Sequence, residues 1–123
     1  MSRALAGSFL TAAALPLVLS IAGCHSYRID ATVENHTGEA ITELEVDYPS
    51  ASFGTNRVAA DGVFHYRFQV RNSGLVTVQY NTANDHQVKI SGPSLSEQQE
   101  GRIDIVLQPG GKADFDTHLT PQQ

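Results

Sequence analysis

"RIDIVLQPGGKADFDTHL" occupies residues 102–119, and its alternation decides the fold class. Before Pro109-Gly110-Gly111, the apolar positions are Ile103, Ile105 and Leu107. After it, the same period places Ala113, Phe115, Thr117 and Leu119 on one face. A two-residue period sends successive side chains to opposite faces of a strand, so each run buries one face and wets the other. Proline and two glycines interrupt strand pairing and suit a tight reversal. The stretch predicts an antiparallel hairpin that needs a second sheet to cover its apolar face.

The same grammar extends upstream. "YRIDATV" (27–33), "ITELEVDY" (41–48) and "VFHYRFQV" (63–70) alternate cleanly, and "LVTVQY" (75–80) and "HQVKI" (86–90) are shorter versions. Turn-forming residues separate them at Asn35-His36-Thr37-Gly38, Asp61-Gly62, Asn72-Ser73-Gly74 and Asn84-Asp85. Ser94-Leu95-Ser96-Glu97 has capping-box spacing and predicts one helical turn. No stretch after residue 24 sustains a helical period. The expected fold is all-β, a seven-stranded antiparallel β-sandwich with the general shape of an immunoglobulin or fibronectin III domain, spanning residues 27–119. A small barrel is the alternative. The expected core is Ile29, Val33, Leu44, Val46, Phe64, Phe68, Val76, Val78, Val88, Ile103, Ile105, Leu107 and Phe115. Residues 120–123 are expected to fray.

The first 23 residues follow different rules. Arg3 is the only charge before Arg28, and an apolar stretch from Ala4 to Ile21 lies between them. A charged start, an apolar centre and a small-residue end form the pattern of a cleaved signal peptide, residues 1–23. Gly7, Ser8, Thr11, Pro16 and Ser20 make this stretch a poor candidate for a permanent membrane helix. Ile21-Ala22-Gly23-Cys24 then places the chain's single cysteine behind an aliphatic residue and two small ones. This quartet resembles the lipobox of bacterial lipoproteins. The resemblance implies cleavage between Gly23 and Cys24, a diacylglycerol on the Cys24 sulfur, and acylation of the new amino terminus. Two or more acyl chains give stable anchoring. His25 after the cysteine, in place of aspartate, implies the outer membrane of a two-membrane bacterium. Residues 24–26 would then be a short lipidated tether.

Charge bounds the partners. The 123-residue chain has a net charge of −5, which argues against a nucleic-acid surface. Losing Arg3 with the leader leaves seven Lys and Arg against thirteen Asp and Glu, net −6. Anionic lipid would repel such a domain, so the acyl chains are expected to do the anchoring. With no second cysteine, no disulfide supports the fold.

Candidate chemistry is sparse. The five histidines His25, His36, His65, His86 and His118 form no paired metal-ligand spacing, so no metal and no cofactor is assigned. The weak metal candidates are Asp114, Asp116 and His118, on one face of the last run. One hairpin register sets Asp104 against Asp116, a repulsion that a cation would relieve. The opposite register, with Arg102 facing Asp116, would relieve it as well. Glu43, Glu45 and Asp47 make an acidic stripe, expected to pair across one sheet with His65, Arg67 and Arg71. The long connection "PSASFGTNRVAADG" (49–62) is the candidate binding loop, with Tyr48, Phe53 and Arg57 as its residues. The competing reading folds Phe53 onto the core, with Val58 as a short bridging strand. Asn35-His36-Thr37 fits a glycosylation sequon, a coincidence in a bacterial lipoprotein.

No nucleophile elbow, carboxylate pair on a cleft or glycine-rich phosphate loop is present in the sequence, so catalysis is not expected. The expected function is that of a small lipid-anchored bacterial envelope protein, a binding or structural module working through protein–protein contacts. One alternative is an accessory lipoprotein that assists assembly of a secretion or envelope complex. Another is a periplasmic metal or small-ligand binding protein. The expected partners are the membrane, through lipid on Cys24, and an envelope protein.

Overall fold

The computed structural model describes residues 25–121. Gly23, Cys24 and the leader lie outside the described residues. Eight strands form: β1 (Ile29–Asn35), β2 (Ile41–Tyr48), β3 (Ala51–Val58), β4 (Val63–Phe68), β5 (Gly74–Asn81), β6 (Gln87–Leu95), β7 (Glu100–Gln108) and β8 (Lys112–Thr120). They build two four-stranded sheets, ordered β4-β1-β7-β8 and β3-β2-β5-β6. Inward rows from both sheets share one core. No helix among the described residues is long and apolar enough to cross a membrane.

The expectation of all-β structure in two packed sheets holds, with two corrections. Among the described residues there are eight strands, not seven, because residues 51–58 pair with β2 as a full strand. The sheets are not wholly antiparallel, because β1 runs parallel to β7, with Ala31 beside Ile103 and Val33 beside Ile105. The β7–β8 hairpin has the register that sets Ile105 against Phe115 and Asp104 against Asp116. No helical turn forms after Ser94. β6 runs on to Leu95, and a tight turn follows in which Gln98 has φ 65° and the Gln99 Oε1 accepts from the Ser96 amide at 2.9 Å. Thr120 belongs to β8, and Gln99 Nε2 donates to the Pro121 carbonyl at 3.2 Å, so the chain is held one residue beyond the strand.

Ten of the thirteen expected core residues are buried, and Phe64, Val88 and Phe115 pack half-buried against them. Ile41, hidden from the alternation argument, is also buried. Glu43 adopts φ 50°, and the β2–β5 register shifts between Thr42 and Glu45. This bulge puts two residues rather than one between the inward-facing Ile41 and Leu44, so both reach the core.

The two open sides of the sandwich are closed differently. Between β3 and β4, the Phe53 ring stacks on Tyr66 at 4.5 Å and lies 5.5 Å from Phe68, which in turn packs on Tyr48 at 4.3 Å. Between β6 and β8, Phe115 lies directly on Gly92, where a Cβ would come within 2.6 Å of the ring. Aromatic rings span the gap between sheets where backbone pairing cannot.

Asn35 ends the inward row of β1 and is fully buried. Its Nδ2 donates to the carbonyls of Glu39 (2.8 Å), Val58 (3.1 Å) and Ala59 (3.0 Å). Its Oδ1 accepts from the Thr37 amide (3.1 Å) and hydroxyl (2.7 Å). Its backbone bonds Gly62 and Asp61. The amide nitrogen that a glycan would occupy is therefore committed to the fold, which supports reading the sequon as a coincidence. Asn35→Ala is expected to cost about 2–4 kcal/mol, since it orphans several buried groups at once. Urea unfolding followed by circular dichroism checks this, and Asn35→Asp should fail similarly, because a carboxylate cannot donate.

Candidate functional site

The three residues of the expected binding loop are not gathered into one loop. Tyr48 ends β2, while Phe53 and Arg57 lie on β3. Phe53 is 6% exposed and belongs to the aromatic closure, so the inward reading of this residue is the one realised. Tyr48 packs beside it, with ring centroids 6.0 Å apart. Burial pushes the Tyr48 hydroxyl above its ordinary pKa, and the nearby Tyr66 adds to this. Arg57 is exposed at the far end of β3, opposite Thr42.

What residues 51–58 offer instead is an edge. β3 is the outermost strand of its sheet and pairs only with β2. The other three edge strands carry devices that discourage further pairing. β8 shows Lys112, Asp114, Asp116 and His118, β6 contains Lys89 and Pro93, and β4 is short and carries His65 and Arg67. β3 has one charge, Arg57, and no proline.

Beside that edge, the outer surface of the sheet forms an open groove of about 640 Å³. Its walls include Glu43, Glu45, Ser52, Asn56, Gln79 and Gln87. Gly54 forms part of its floor, and no other residue fits there, because a Cβ would sit 2.0 Å from the Leu44 carbonyl oxygen. Glu45 accepts a hydrogen bond from Gln79 across the β2–β5 pair. The groove is shallow, polar and acidic, which suits a peptide or a cationic side chain better than an enclosed small molecule.

The acidic stripe is not neutralised as expected. β2 and β4 lie in different sheets, so Glu43, Glu45 and Asp47 do not face His65, Arg67 or Arg71. Arg67 instead pairs with Asp30 of β1 at 2.7 Å, a bond that raises the Arg67 pKa. Burial, then the neighbouring Glu45, pushes the Asp47 carboxyl above the usual carboxylate range, and Lys89 opposes the shift.

On the other sheet, the donors of Asp104, Asp116 and His118 lie within 4.8 Å of one another. Asp104 thus takes the place expected for Asp114, whose carboxylate accepts from Gln108 at 3.1 Å. The facing aspartates each have a local partner. Arg102 reaches along its own strand to Asp104 at 3.2 Å, and His118 lies 3.0 Å from Asp116. These pairings offset only part of the repulsion, because contacts between largely exposed side chains are weak.

Two measurements follow. Asp116→Thr removes one facing carboxylate and is expected to stabilise the fold by ~0.2–1 kcal/mol, with no loss of any melting shift caused by zinc or manganese. For Asp47, the folded protein holds the proton more tightly than the unfolded chain, so ionisation costs stability as pH rises through the elevated folded-state pKa. Asp47→Asn should therefore raise the melting temperature at neutral pH, and the gain should shrink on acidification as the native carboxyl regains its proton.

No family profile and no curated protein matches the chain. An NMR structure of a protein from Eubacterium rectale is similar in fold, with a TM-score of 0.54 and 12% identity, over 78% of this chain and 90% of that one. At that identity the likeness concerns the fold alone.

Proposed function

We propose that this chain is a small, non-catalytic, lipid-anchored protein of the bacterial envelope that holds a partner polypeptide along β3. The reading of the anchor rests on Ile21-Ala22-Gly23-Cys24 and the apolar leader before it. The reading of the contact rests on one observation. Residues 51–58 form the least protected strand edge of the sandwich, immediately beside an acidic groove. The general shape, two sheets of short strands as in immunoglobulin and fibronectin III modules, suits binding through edges and faces.

The mode is strand addition. A partner segment extends the β3-β2-β5-β6 sheet through main-chain hydrogen bonds, and its side chains select for the groove. Glu43 and Glu45 favour a partner carrying lysine or arginine at the positions facing them. An accessory role in assembling an envelope complex is the same contact put to a different end, and the identity of the captured protein separates the two.

Phe53 is buried, so the reporters belong on its exposed neighbours. Photocrosslinkers at Ser52 and Asn56 in intact cells should capture a discrete partner, while one at Ser91, exposed on the opposite edge strand β6 and outside the groove, should capture much less. With the crosslinker at Ser52, Asn56→Lys should remove most of the capture and leave the far-ultraviolet circular dichroism unchanged, since lysine on an edge discourages pairing. Equal capture from both edges would sink the strand-addition reading.

A further inference from the structure

We propose that the pole of the sandwich where the chain enters rests on an anionic lipid leaflet, with Arg28 and Arg71 on headgroup phosphates and Leu75 in the interfacial layer. This deepens the anchoring reading and rests on it.

Strand directions define two poles. β1 and β7 leave the entry pole, and β4 and β8 return to it, as do β2 and β6 in the other sheet. The entry pole therefore holds residues 25–28, the Pro49-Ser50 turn, residues 69–73, residues 96–99 and Pro121. His25 is fixed there by Glu100 at 2.8 Å, and Gly101 donates to the Arg28 carbonyl at 3.1 Å. Cys24 directly precedes this anchored segment in the sequence. A lipid on its sulfur leaves no length of tether to lift the pole away from the bilayer.

The connections at the two poles differ in charge. Those at the entry pole carry Arg28 and Arg71 against Glu97, and Glu100 at the first position of β7 brings this end to net 0 with histidines neutral. Those at the far pole carry Glu39, Asp61 and Asp85, and Lys112 at the first position of β8 brings that end to net −2. Strands of seven to nine residues separate the poles by about 25 Å, roughly three Debye lengths at physiological salt. An anionic leaflet therefore meets the charge of the near pole, not the net −6 of the mature chain. The repulsion expected from composition does not apply in this orientation. Each arginine near such a surface contributes attraction, and the arrangement also disfavours the inverted pose.

Leu75 supplies the apolar contact. It is 57% exposed, on the second residue of β5, and follows Gly74, which lies against Pro49 of the entry-pole turn. Arg71 borders the same shallow depression as His25, Tyr27 and Glu97. Exposed Val63 lies at the far pole beside Glu34, in surroundings an anionic leaflet repels. A single exposed leucine is ordinary on any surface. Its coincidence with the chain entry and the two exposed arginines is what points to lipid.

The test uses full-length protein purified from membranes and reconstituted into phosphatidylcholine vesicles containing phosphatidylglycerol. Ser73→Cys and Asn84→Cys, exposed at opposite poles, are labelled with a thiol fluorophore and quenched by brominated lipid. Label stoichiometry reports the anchor, because a lipidated Cys24 takes no label. One fluorophore per chain supports the anchor, and two would overturn it. Quenching at position 73 should exceed that at position 84 by about threefold or more, given the separation of the poles. Arg28→Glu with Arg71→Glu should remove most of that excess. Equal quenching at both positions, or stronger quenching at 84, would overturn the proposed orientation whatever the label count. Should two labels attach, the same comparison with Cys24→Ser, which leaves a single thiol, decides whether this pole touches lipid unaided.

Discussion

The carboxamide of Asn35 is the constraint on which the arrangement of strands depends. It stands where β1 gives way to the turn that crosses to the other sheet, and it satisfies backbone groups from the β1–β2 and β3–β4 connections. Those connections must pass near the core, where unpaired carbonyls are costly. One amide group answers several of them at once, with its donors aimed one way and its acceptor the other. The turn of β3 into β4 is thereby fastened to the end of β1. That fastening places β3 and β4 on the same side of the sandwich, where their aromatic side chains meet.

From this placement follow both the closure of that side and its openness. Phe53, Tyr66, Phe68 and Tyr48 bridge the two sheets with rings rather than hydrogen bonds. The backbone of β3 is therefore left with a free outer edge even though its side chains are anchored. A rigid edge loses little entropy when a partner strand docks, which favours binding. The other side, with Phe115 pressed on Gly92, is bordered by strands bearing charge or proline and is poorly suited to the same use.

Charge is distributed along the molecule rather than uniformly. The bulge at Glu43 turns the acidic groove outward, near the acid-rich far pole, while the entry pole keeps its arginines. In the proposed arrangement the domain would work through two surfaces at right angles, an end for the leaflet and a side for a partner. The two do not compete, because β3 runs the full distance between the poles.

Alternation alone determined that the described residues are all-β, where most of their strands lie and which side chains form the core. A two-residue period is a local property, and burial follows it wherever the pleat is regular. The apolar leader and the Ile21-Ala22-Gly23-Cys24 quartet are also local patterns, and they motivate the proposed anchor, because the features that targeting reads are short and linear. Only the tertiary structure decided the rest. Residues 51–58 look like a loop because their strand is half polar and carries Gly54, and only pairing with β2 makes them a strand. Which charges meet depends on strand order, so Glu43, Glu45 and Asp47 stand apart from the arginine stripe that their composition invited. Asp104 joins Asp116 and His118 because register, a relation between distant segments, sets them side by side. Asn35 was visible as a turn former. Its role as the buried staple of several connections arises from the way the chain crosses between sheets, which no local pattern encodes.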